Sequence, residues 1–215
     1  MAPKAESFGA RTKFVPLRAV VQFDMVAPMT ATNIVDSSLD PRYPIGKFSR
    51  PASGTAGMRG SHIQTLQLLP ERLSAAVSGL DDHQLDTPYR DGGWTVRQMV
   101  HHVADSHANA YIRMKLALTE DWPTIKPYDE AAWANLSDAR SLPVEVSLRL
   151  IEALHARWVS LLNSLSDDDF QKGYVHPTML ENGGRQSLAE VLAMYDWHSR
   201  HHTAHITNLR GRMGW

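Results

Sequence analysis

Four stretches of this chain place apolar residues three and four positions apart, and none alternates apolar with polar over a useful length. A period near 3.6 buries one stripe of a helix, whereas a half-buried strand needs a period of two. Helices packed on helices are therefore expected. The first stretch, about 61–77, carries Ile63, Leu66, Leu69, Leu73 and Val77, with Pro70 inside it as a candidate kink or restart. The second, about 95–118, follows the turn Asp91-Gly92-Gly93 and carries Val96, Met99, Val100, Val103, Tyr111 and Met114. Pro123 and Pro127 then break the chain, and 129–136 reads as a short helix.

The third stretch, about 144–165, follows Ser141-Leu142-Pro143, a good helix start, and aligns Leu148, Ile151, Leu154, Trp158 and Leu162. The fourth, about 187–210, opens on Ser187 with Glu190 three residues on, the pattern of a capping box. Residues 174–184 between them read as a turn-rich loop. Four amphipathic helices are most economically buried as an all-α four-helix bundle. Residues 1–42 mix basic residues, prolines and small polar residues without a sustained period, so they read as a flexible extension before a single domain over 43–215. Trp94 is expected to anchor the second helix in the core, and Trp158 to pack within the third.

Composition removes several function classes. Lys+Arg 22 against Asp+Glu 23 leaves a net charge of −1, so no overall field recruits nucleic acid or an anionic membrane. No run approaches the roughly 18 apolar residues of a membrane span. With Cys 0 there is no disulfide, thiolate zinc site or cysteine nucleophile. What stands out is His 11, with three in 101–107 and four in 198–205.

In the last helix His198/His202 and His201/His205 are four apart, so either pair can converge on one ion. At about 100° per residue, His202 lies about 25° and His198 about 60° from the centre of the buried stripe, against about 80° for His205 and about 125° for His201. The first pair is the better candidate. A third donor is wanted, for which the second helix offers His101, His102 and His107, and spacing alone slightly favours His107. Position 199 is Ser, so the His-Glu-x-x-His pattern of zinc peptidases, with its built-in base, is absent.

The run Asp86-Thr-Pro-Tyr-Arg-Asp-Gly-Gly-Trp-Thr-Val-Arg-Gln-Met-Val-His-His-Val-Ala-Asp-Ser-His107 resembles the YfiT group of the DinB superfamily. The likeness resumes at Trp197-His-Ser-Arg-His-His-Thr-Ala-His205 and spans about 43–215. It implies a bundle binding one divalent ion per chain, zinc or nickel, through three histidines. Carried over by motif, these are His102, which precedes Val103, with His198 and His202; His102 thus replaces His107. The resemblance further implies a cytoplasmic homodimer acting as a hydrolase on a small molecule. Thiol S-transfer with a cosubstrate such as bacillithiol is the alternative, since some relatives perform it.

Three neutral imidazoles leave the ion's charge uncompensated and a position open, which is a catalytic arrangement. Such an ion lowers the pKa of bound water to about 7 and would equally activate a thiol. Water attack wants a base, for which Asp105 and Asp196 are candidates, and Arg113 could hold an anionic group. A non-catalytic binding module is the third reading. It expects the clustered histidines to be bonded to protein groups.

Overall fold

A computed structural model describes residues 40–50 and 55–215 of the chain. Of the expected extension, residues 1–39 lie outside the described residues. Nine elements follow: α1 (Arg59–Val77), α2 (Asp82–Leu85), α3 (Val96–Thr119), α4 (Glu130–Ala134), α5 (Ser137–Ser141), α6 (Val144–Asn163), β1 (Gly173–Val175), β2 (Arg185–Ser187) and α7 (Leu188–Met213).

The starts of α3 and α7 follow from side-chain chemistry. Thr95 accepts from Gln98 N while Gln98 returns the bond to the Thr95 N–H, and Ser187 and Glu190 do the same for α7. These boxes satisfy backbone donors that a helix start leaves unpaired. Gly214 ends α7 in the left-handed conformation (φ 73) that glycine adopts without a Cβ clash. Pro70 neither kinks α1 into two helices nor restarts it; α1 runs through. What Pro70 does is remove the N–H that would close on the Leu66 carbonyl one turn earlier. His155 Nδ1 of α6 sits 2.6 Å from that oxygen instead.

The four long helices form the bundle. Helices α1 and α3 each pack against both α6 and α7, so α1 faces α3 across the diagonal. The expected short helix over 129–136 is two, α4 and α5, and the short α2 had no periodic signal. The loop expected over 174–184 is bounded by an antiparallel hairpin, with Tyr174 opposite Gln186. Three-residue strands are too short for alternation to show. A Cβ at Gly173 would collide with the Gln186 carbonyl, so the close approach needs glycine. Since β2 ends on the cap of α7, the hairpin fixes where that helix begins.

Two apolar clusters fill the interior. One gathers Leu66, Met114, Trp158, Phe170 and Leu192, the other Leu69, Leu73, Met99, Ile151 and Ile206. Along α6 the two are separated at His155, and along α7 at residues 198–205. No helix of the described residues is long and apolar enough to cross a membrane.

Candidate metal centre

Helices α3 and α7 pack side by side and bring His102, His198 and His202 together: one ring nitrogen from each lies within 4.8 Å of those of the other two. Ring centroids are 5.4 Å apart for His102–His198, 4.9 Å for His102–His202 and 4.4 Å for His198–His202. Burial pushes the His102 pKa down to about 4 and holds His198 and His202 well below the usual imidazole range. All three are therefore neutral at pH 7, each with a ring lone pair. His202 Nδ1 is buried with no hydrogen-bond partner among the described residues.

The other candidates of α3 are engaged elsewhere. His101 turns to the Ser147 hydroxyl at 2.7 Å and the Leu142 carbonyl at 3.1 Å. His107 is fully buried with both ring nitrogens taken, Nδ1 by His155 Nε2 at 2.9 Å and Nε2 by His198 Nδ1 at 3.1 Å. The spacing preference for His107 placed it correctly on the buried stripe, but it stands behind His198 and has no free lone pair.

His201 corrects the helical wheel. It is 6 % exposed rather than outward, because residues 43–48 lie over that face of α7. Trp197 Nε1 donates to the Gly46 carbonyl at 3.1 Å, Tyr43 lies 6.3 Å from His201, and His201 stacks on Trp197 at 4.1 Å. His201, His202 and His205 consequently form a second close triad, all on one helix and sharing His202.

The His102 triad borders a cavity of about 680 Å3, whose wall includes Trp94, Arg113, Glu130 and Tyr174. Trp94 is thus a cavity wall, its ring 4.6 Å from His102, rather than a core anchor; Trp158 is fully buried as expected. Arg113 reaches the cavity while donating to the Lys126 carbonyl at 3.0 Å. Neither expected base lines the cavity. Asp196 is tied to Arg200 at 2.7 Å and lies 3.4 Å from His62, and Asp105, its pKa raised first by burial and then by Asp138, stands outside it. Among the described residues the carboxylate that does line the cavity is Glu130, an exposed residue whose pKa is raised by partial desolvation against the opposing pull of Arg113. The sequence led to a short helix over 129–136 but not to Glu130 as a functional residue, because its place on the cavity wall depends on how α4 packs against α3. His155 was missed too, although its position between Ile151 and Trp158 on an apolar stripe was a usable sign.

Comparison with known proteins agrees with this architecture. The model of the DinB superfamily matches residues 65–206. A Bacillus cereus protein and a Bacillus thuringiensis protein, both named "Putative metal-dependent hydrolase", are 55 % identical over 176 residues, covering 82 % of this chain and 99 % of theirs. The structure of YfiT from Bacillus subtilis, described as "a probable metal-dependent hydrolase with an unusual four-helix bundle topology", superposes with a TM-score of 0.78 at 48 % identity, over 82 % of this chain and 99 % of that one. The chain is therefore a four-helix-bundle member of the DinB superfamily, close in structure to YfiT.

Proposed function

We propose that this protein is a metal-dependent hydrolase whose single divalent ion, zinc or nickel, is held by His102, His198 and His202. The observation that carries this reading is three neutral, convergent imidazoles from two helices at the wall of an open cavity. The donor set fits such an ion: nitrogen ligands suit zinc and nickel, and the unpartnered His202 Nδ1 marks a polar interior that the protein alone does not satisfy. An ion so held, with a position open, supplies Lewis acidity toward water and toward a carbonyl or phosphoryl oxygen.

The chain's own residues supply the rest. Glu130, with a raised pKa and a place on the cavity wall, is suited to take a proton from water and return it to a leaving group. Arg113 supplies a fixed positive charge in the same wall, suited to a substrate carboxylate or phosphate. Trp94 and Met179, both part-exposed on the cavity wall, give apolar surface for the body of a small molecule. The likeness to the YfiT group carries the expectations of a cytoplasmic location and a homodimer.

Thiol S-transfer on the same site is the alternative, with the thiol as a cosubstrate because the chain has no cysteine. It loses some of its appeal once a carboxylate lines the cavity. Zinc-loaded protein given an activated ester in 18O-water, with and without an added low-molecular-weight thiol, separates the two. Hydrolysis puts label into the acid product whether or not thiol is present. A thioester formed only with enzyme and thiol would contradict the hydrolase reading.

A further inference from the structure

One chain of hydrogen bonds crosses the bundle and touches each of its four long helices. It begins at the Leu66 carbonyl of α1, whose helical donor is missing because Pro70 has no N–H. His155 Nδ1 of α6 lies 2.6 Å from that oxygen, and His155 Nε2 lies 2.9 Å from His107 Nδ1 of α3. His107 Nε2 then lies 3.1 Å from His198 Nδ1 of α7. His107 is 0 % and His155 1 % exposed, so water does not substitute at these joints.

The order of donors follows from one end. A carbonyl oxygen only accepts, so His155 Nδ1 carries a proton. Burial holds His155 neutral, its pKa pushed down to about 4, so its Nε2 is bare and can only accept. His107 must then donate from Nδ1. Fully buried, with only the rings of His155 and His198 on its nitrogens and no carboxylate to hold a second proton, His107 has a bare Nε2, which accepts from His198 Nδ1. His198 is left with its lone pair on Nε2, the nitrogen not engaged by His107 and 3.4 Å from the Ser106 hydroxyl.

We propose that the Leu66 carbonyl, freed by Pro70, acts through His155 and His107 to fix His198 in the Nδ1–H tautomer and present its Nε2 lone pair to the metal centre. His107 and His155 are on this account positioning residues, which set the tautomer and orientation of a ligand without touching the ion. Only the last step, delivery of the lone pair to an ion, rests on the metal-dependent reading above.

The tautomers are readable in metal-free protein. Long-range 1H–15N correlation spectra of histidine-labelled protein at pH 7.5 are expected to show His155, His107 and His198 all protonated at Nδ1. An Nε2–H tautomer at any of the three would overturn the proposal. The consequence for binding is tested by zinc competition against a chromophoric chelator for wild type, His155→Gln and His155→Leu, with folding checked by circular dichroism. Gln retains an amide donor for Leu66 and a carbonyl acceptor for His107, whereas Leu retains neither. Zinc affinity is expected to fall on the order of 10-fold in the Leu variant and to be largely restored in the Gln variant. A folded Leu variant with wild-type affinity would overturn the positioning role. If the Leu variant does not fold, the tautomers of wild type decide the matter. Wild type that takes up no zinc would contradict the metal reading, while the spectra of the metal-free protein still judge the relay.

Discussion

Leu73 and His155 both point into the bundle from long helices and both are essentially unexposed, yet their surroundings obey different rules. Leu73 belongs to an apolar cluster with Leu69, Met99 and Ile206, where burial stabilises without regard to direction. His155 lies in the layer between the two apolar clusters, where each ring nitrogen has one partner at one angle. A layer of apolar side chains tolerates repacking as long as volume is kept. A layer of neutral imidazoles does not, because each donor must meet an acceptor and each tautomer constrains the next. The difference teaches that the same helical periodicity can carry both a packing core and a directional one.

The largest expected effect lies where the two layers meet. Trp158 is fully buried in one apolar cluster, and its ring is 5.7 Å from His155 and 5.8 Å from His107. Trp158→Ala is expected to cost about 3–5 kcal/mol in urea unfolding. A cost below about 1 kcal/mol would mean that this part of the core is not packed as described.

A substitution inside the imidazole layer should cost a comparable amount for a different reason. His107→Leu fills much of the same space yet strands His155 Nε2 and His198 Nδ1, each at about 1–3 kcal/mol. If the variant were as stable as wild type, the two layers would not differ in the way claimed here.

Acid should weaken the imidazole layer selectively. The folded-state pKa of His155 and of His102 is about 4, below the ordinary value of 6.5, so the unfolded chain binds more protons between these limits. Stability of the metal-free protein should be full above about pH 6.5 and fall as pH drops toward about 4, followed by denaturant melts across that range. Flat stability over this window would contradict neutral buried imidazoles. The smallest effect belongs to the apolar layer: Met99→Leu keeps the volume roughly constant and should cost less than about 1.5 kcal/mol.

Much of the bundle was legible because each long helix declares itself twice, by an apolar stripe and by its punctuation. Ser187 and Glu190 mark the start of α7, and Pro143 immediately precedes α6. The hairpin around Tyr174 was not, since three-residue strands carry no usable period, and the short helix expected over 129–136 gave no sign that Glu130 would line the cavity. At the site, the helical wheel brought His198 and His202 inward and misplaced His201, because a wheel knows nothing of residues 43–48 folded across α7. It also slightly favoured His107 over His102, both of which are buried. What separates them is hydrogen bonding from a third helix, through His155, and that is a property of the assembled bundle.

The central claim is that one ion is held by His102, His198 and His202, and the measurement that tests it most directly is metal content per chain by elemental analysis. Tag-free protein reconstituted with zinc should carry about one equivalent, lost in His102→Ala and kept in His201→Ala, because the first removes a member of the two-helix triad and the second does not. Metal lost in His201→Ala and kept in His102→Ala would move the site to the triad of His201, His202 and His205 and contradict the account.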